Sequence, residues 1–295
     1  MTTFEEITAM RPRDIHEAIP MMQRALDWYH ENNDYRTVFL RSYYIITLNV
    51  HAALSDPRKQ VFFDPAWIAS LAGKFSSLYF QSLTTHERDA DAERAWKVAH
   101  RLAESRESTV VQDLLLGLNA HINYDLAYGI YLNLKEHGDD QNHLLLPRRK
   151  FDHDQVNDIL MASIPQITET LARDYGGAIR FLDVALDRLD DLLAGTGLRY
   201  YRERVWWNAV TYLTAGDESE IGLVHEKLNR ESTGIANLVA GRSFWSLPIR
   251  LVGKAIRKRR FGRIELGEAP ASRELELSVA KAGVSLASLV TVGFY

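Results

Sequence analysis

The chain contains no cysteine. That removes disulfides, thiolate metal sites and cysteine nucleophiles together, and it suits a reducing compartment. Turn-makers are scarce as well: 17 glycines and 8 prolines in 295 residues, where average composition would supply about 12% of the two combined. A β-sandwich or barrel needs a break every ten residues or so, and this chain cannot provide them. No run of about eighteen apolar residues occurs, so a membrane-spanning helix is not expected. The start, MTTFEEITAMRPRD, lacks the basic stretch and apolar run of a secretory signal, and a cytoplasmic protein is expected. No GxSxG, GxGxxG or GxxxxGK[ST] string is present, so neither a nucleophile elbow nor a glycine-rich nucleotide loop is indicated.

What remains is ordinary globular material, 46% hydrophobic and 25% charged, which excludes wholesale disorder. The net charge is −4, unevenly spread. Residues 250–263, RLVGKAIRKRRFGR, carry seven cations and no acid, so the rest of the chain carries −11. An acidic body argues against nucleic-acid binding, which wants a broad basic face. Phe244, Trp245, Leu247 and Ile249 precede the cations. Residues 244–263 therefore fit either a solvated helix end docked on the acidic body or a peripheral contact with anionic lipid.

Helix signals recur along the chain. Asp34 precedes a stretch, YRTVFLRSYYIITLNVHAAL, that is hydrophobic nearly all round and so belongs inside. Asp64-Pro65 opens a helix to about Thr84, and Thr109 with Gln112 makes a capping box before a run that stops near Gly138. Asp152 with Gln155 and Asp217 with Glu220 repeat that spacing. Residues 137–150 are expected to be the longest loop of the body. The pattern predicts an all-α protein, a single orthogonal bundle of nine or ten helices over 1–263, with a C-terminal extension over 264–295 holding one short helix.

The most informative segment is LLLGLNAHINYDLAYGIYL, residues 114–132. Its apolar flanks place it at the centre of the bundle, yet it carries Asn119, His121, Asn123 and Asp125. At about 100° per residue each pair, Asn119 with Asn123 and His121 with Asp125, shares a face, and the two faces point about 200° apart. A buried imidazole and carboxylate cost several kcal/mol unless paired, hydrogen-bonded or metal-bound. They serve either as a packing lock or as the polar centre of a ligand site of the kind bundles build in their cores.

GLNAHINYDL resembles the signature of a bacterial and fungal family of unknown function whose members carry N-A-H-I-N-x-D on a central helix. The likeness runs over roughly residues 35–210, supported by FFDP at 62–65, RAW at 94–96, DHDQVNDIL at 152–160 and RERVW at 202–206. It implies a shared helical fold and site, and no reaction. Family members often carry a histidine shortly before the aspartate matching Asp152; here Lys150 stands near that place. The His121-x3-Asp125 spacing is also similar, more weakly, to one ligand pair of the all-helical zinc-dependent phospholipases C. Further His and carboxylate ligands would be needed to complete such a set.

Candidates for the site follow. His121 is a general acid/base or metal ligand, Asp125 its orienter or co-ligand, and Asn119 and Asn123 polarise substrate or organise the opposite neighbour. Asp152, otherwise an N-cap, is the third candidate ligand for a divalent zinc or magnesium ion. Tyr124, Tyr128, Asn157, Arg202 and Trp206 are candidates for contacting substrate, while His51 reads as a core histidine. Tyr43, Tyr44 and Trp207 are further candidate cavity walls. Asp183, Asp187, Asp190 and Asp191, with Asn229, Thr233 and Asn237, loosely suggest paired magnesium motifs of a terpene cyclase. The expected function is an enzyme acting on a small apolar or lipid-like molecule, with metal-assisted hydrolysis ahead of metal-free acid/base cyclisation or isomerisation. A non-catalytic ligand-binding protein is the competing class.

Overall fold

The computed structural model describes residues 2–56, 60–87, 94–175 and 196–241. Among these there is no strand, and the protein is an all-α bundle. In chain order the helices are α1 (Phe4–Thr8), α2 (Ile15–Glu31), α3 (Thr37–Ser55), α4 (Pro65–Glu87), α5 (Arg94–Ser105), α6 (Val110–Ala120), α7 (Leu126–Glu136), α8 (Leu146–Tyr175), α9 (Thr196–Thr214) and α10 (Glu218–Ala240). A π-helical turn, His121–Asp125, joins α6 to α7 without a break, so the described residues form nine separate rods. The expected C-terminal extension, the cationic stretch 244–263 and the acidic face 183–191 lie outside the described residues. No described helix is long and apolar enough to cross a membrane.

Local chemistry explains most boundaries. Asp64 accepts the backbone N–H of Trp67 at 3.0 Å, with Pro65 at the first helical position, where its missing N–H costs nothing. Thr109 and Gln112 close a reciprocal capping box. Asp217 accepts from Glu220 N–H at 2.9 Å. After α7, Gly138 takes a φ of +72°, which a residue with a Cβ adopts at a cost, and Asp139 N–H returns to the Leu134 carbonyl at 2.9 Å. At α3 the carboxylate of Asp34 instead accepts the backbone N–H of Arg36 and pairs with its guanidinium, and the helix starts without a side-chain cap.

One boundary differs from expectation. Only residues 137–145 lie between α7 and α8; 146–150 are helical, and Asp152 is inside α8. Pro147 suits a first turn, so the helix begins there and the Asp152–Gln155 spacing is not a cap. The Asp152 carboxylate is wholly buried and accepts Phe63 N–H at 2.7 Å and Asp64 N–H at 2.9 Å. It thus serves the donors that precede α4 rather than those of its own helix. Arg149 completes the joint, reaching Asp64 at 2.5 Å and Asp139 at 2.9 Å.

Helix α3 is buried on nearly every side, as its composition requires. The rod α6–π–α7 packs against α3, α4, α5, α9 and α10 and passes between two large apolar clusters. Leu116 and Ala120 lie in one; Tyr124, Leu126, Ala127 and Ile130 lie in the other. Of the polar residues of the central segment, Asn119, His121 and Asp125 are buried and Asn123 is half-buried.

Candidate active site

The π turn falls on the five residues HINYD. Leu126 N–H bonds the His121 carbonyl, five residues back, which widens the rod by one residue at that point; such insertions are frequent at functional sites. His121 and Asp125 remain adjacent: Nδ1 lies 2.9 Å from Oδ2. Both side chains are buried, at 2% and 3% exposure. Trp96, on the inner face of α5, donates its indole N–H to the same carboxylate oxygen at 2.9 Å.

Burial pushes the His121 pKa well below its usual value, so the imidazole is neutral at pH 7. Its Nδ1 faces a carboxylate oxygen that already accepts from Trp96, which assigns the ring proton to Nδ1. Nε2 then carries the lone pair. That atom is buried and has no hydrogen-bond partner. Aromatic rings crowd the imidazole: Phe75 stacks on it with centroids 3.4 Å apart and planes 7° apart, and Tyr43 meets it edge-on at 4.5 Å.

Beside this ring is a cavity of about 90 Å³. Its wall includes Tyr43 and Thr47 from α3, Phe75 from α4, Leu118 and His121 from the central rod, and Arg202 from α9. The Thr47 hydroxyl donates to the Tyr43 carbonyl at 2.8 Å and the Tyr43 hydroxyl pairs with Ser76 at 2.9 Å, so among the described lining residues His121 and Arg202 are those with a buried polar atom that has no hydrogen-bond partner.

The asparagines lie elsewhere. Asn123 donates to Asn119 at 2.9 Å, and Asn119 donates to the Ser232 carbonyl of α10 at 2.8 Å. They tie the central rod to α10 and are not among the residues that line the cavity. Tyr124 bonds His225 Nε2 at 2.5 Å, Tyr212 meets His225 Nδ1 at 3.0 Å, and Tyr128 packs edge-on against the same ring. Trp206 is core, its ring 5.7 Å from that of His153. Asn157 is buried with its Oδ1 unpaired. Of the five expected substrate contacts, Arg202 alone is on the cavity wall among the described residues. Trp207 is exposed and donates to Glu203 at 2.8 Å. His51 is half-buried against His16 rather than in the core.

The expected metal set does not fit. Asp152 has both carboxylate oxygens on backbone N–H groups, and Asp125 Oδ2 is shared by His121 and Trp96. Among the described residues no three His, Asp or Glu side chains are arranged to hold an ion, whereas a catalytic zinc needs three. Asn229 Oδ1 accepts from Arg94 N–H and the Thr233 hydroxyl, so that part of the magnesium motif is a structural joint.

Segments far apart in sequence meet in the fold: RAW reaches NAHINYD through Trp96 and Asp125, FFDP reaches DHDQ through Asp152, and RERVW reaches DHDQ through Arg202 and the His153 carbonyl. The family of unknown function DUF5995 matches residues 15–241. The chain belongs to this family. The DUF5995 match extends beyond 35–210 at both ends, taking in α2 and all of α10. No curated protein and no solved structure matches the chain. Trp96, Phe75 and Phe39 surround His121 and were left unassigned by sequence reasoning. The RAW string carried a signal for the first; nothing local marked the other two.

Proposed function

We propose that the protein is an enzyme performing metal-free acid–base chemistry on a small apolar molecule held in the cavity, with His121 as the proton acceptor and donor and Asp125 as its orienting partner. One observation carries this reading: Nε2 of a neutral, buried imidazole is unpaired on a ring that lines a cavity, while Nδ1 is tied to a carboxylate. A positioned base of this kind contributes about 10²–10⁴-fold to a proton transfer. Trp96 holds the carboxylate, so the ring cannot swing its proton away from Nδ1. Metal-assisted hydrolysis drops behind because the carboxylates it would use are engaged by backbone and indole donors.

Volume bounds the substrate. A cavity of about 150 Å³ holds the six heavy atoms of benzene, so about 90 Å³ takes about four heavy atoms before a wall must move. A whole isoprenoid or acyl chain exceeds that. The test is a panel of small carbonyl compounds and acids incubated with the protein in D2O and followed by NMR. Conversion, or deuterium uptake at carbon, is expected with the wild type and falls by about 100-fold or more in His121→Gln. Equal rates in the two proteins remove the proposal. The competing reading is a binding protein without chemistry, favoured by the close stacking of Phe75 on the imidazole, which limits how far the ring can move. Binding without turnover in the wild type establishes it.

A further inference from the structure

We infer that Arg202 makes the cavity a subsite for a single negative charge, and that its ligand is a short monocarboxylate whose carboxylate sits on the guanidinium and whose hydrocarbon part lies against the apolar wall. This rests on the cavity being a ligand site, as proposed above, and goes beyond it by naming the ligand class.

Arg202 is 4% exposed. One guanidinium nitrogen donates to the His153 carbonyl at 2.8 Å, and Nε has no hydrogen-bond partner. Among the described residues no carboxylate forms an ion pair with it. Burial lowers its pKa to about 10, which leaves it charged at neutral pH. A guanidinium shut away from water without an anion is costly, and breaking a buried pair is costly for the same reason. The nearby carboxylate of Asp154 is taken by Lys150 at 2.7 Å. His153, beside the guanidinium, is held neutral with a pKa of about 3 by burial first and the Arg202 charge second, so it brings no second cation.

The charge count selects the ligand. Among the described residues on the cavity wall Arg202 is the one charged side chain, and His121 on the same wall is neutral. A dianion such as phosphate would keep a net charge in a medium that does not solvate it. A carboxylate balances the charge and matches the planar guanidinium fork. With room for about four heavy atoms, propionate, which has five, fits with a small movement of the wall and long-chain acids do not fit. His121 lines the same cavity with its Nε2 unpaired, so a carboxylate held by Arg202 shares that space with the imidazole.

Calorimetric titration of the full chain at pH 7.5 with propionate, propionamide and inorganic phosphate tests this. Propionamide has the same shape as propionate without the charge. Propionate is expected to bind the wild type at least about tenfold more tightly than propionamide, with phosphate weaker still. The preference is expected to persist in His121→Gln and to vanish in Arg202→Met. Equal affinity for the two isosteres, a preference that survives Arg202→Met, phosphate binding as tightly as propionate, or no binding of any probe each overturns the inference. The wild-type comparison alone decides if Arg202→Met does not fold. Turnover lost in His121→Gln without any propionate preference leaves the acid–base reading standing and removes this one. A propionate preference with turnover indifferent to His121 does the reverse.

Discussion

The phenyl ring of Phe75 lies flat on the imidazole of His121, centroids 3.4 Å apart and planes within 7°. Phe39, Tyr43 and Trp96 meet the same imidazole edge-on, at 5.5, 4.5 and 5.9 Å. The histidine is thus packed as firmly as any core residue while one ring nitrogen stays unpaired. Packing and chemistry are both served by one side chain, and a loss of stability on replacing it does not distinguish them.

His121→Ala removes a ring that supports four aromatics and leaves Asp125 with Trp96 as its remaining described side-chain donor. A loss of about 2–4 kcal/mol is expected, in the range of large-to-small core substitutions, read as a lower urea midpoint with unchanged slope. His121→Gln keeps an N–H within reach of Asp125 and is expected to lose about half as much. It is therefore the variant for activity measurements. Equal losses in the two would mean that the Asp125 hydrogen bond contributes little.

Three buried histidines make the fold acid-sensitive. Burial lowers the pKa of His100 and His121 well below the usual value, and brings His153 to about 3. In the unfolded chain each titrates near 6.5, so as pH falls below that the unfolded state binds protons the native state refuses. The stability they contribute is present above about pH 6.5 and lost as pH falls toward the folded values. For three such groups the loss at pH 5.5 relative to pH 7.5 is about 4 kcal/mol, a large share of the 5–15 kcal/mol a domain typically has. Urea unfolding at the two pH values checks it; a flat profile would mean that these rings are protonated in the native state.

The all-α class, the caps at Asp64, Thr109 and Asp217, and the central position of LNAHINYD were legible because each depends on neighbours within one turn or on a long apolar run. The His121–Asp125 bond was legible for the same reason. The π turn was not: it leaves no local mark, and a uniform 100° per residue had to be assumed. Asp152 misled because a capping-box spacing describes donors on its own helix, while its true partners, Phe63 and Asp64, are about ninety residues away in sequence. Arg202 was legible as a candidate, but its neighbours on the cavity wall come from α3, α4, the central rod and α8, and no periodicity encodes that meeting.

Asp152 accordingly answers to a stability test rather than a metal test. Asp152→Ala leaves the Phe63 and Asp64 N–H groups without acceptors at a buried joint, and a loss of about 2–4 kcal/mol is expected. Asp152→Asn keeps one acceptor and turns an N–H₂ toward an N–H, so it is expected to fall between. Dialysis against a chelator is expected to leave the melting temperature of the wild type unchanged. A chelator-induced drop that Asp152→Ala abolishes would restore this carboxylate as a metal ligand.

Gly117 sets the distance between α6 and α3. A Cβ built there would overlap the ring of Phe39, which stands on the cavity wall and touches His121 edge-on. Gly117→Ala therefore forces the ring to move or the helices to part, and overpacking of this kind costs about 1–3 kcal/mol. If the ring moves into the cavity, the volume beside His121 shrinks and propionate binds more weakly as well. Phe39→Ala removes the two nearest of the overlapping atoms and leaves Cβ at 2.7 Å, so the double variant Gly117→Ala with Phe39→Ala is expected to be more stable than the sum of the single effects by about 1 kcal/mol. Additive losses in that cycle would place the strain in the backbones of α3 and α6 and free the Phe39 ring from any part in shaping the cavity.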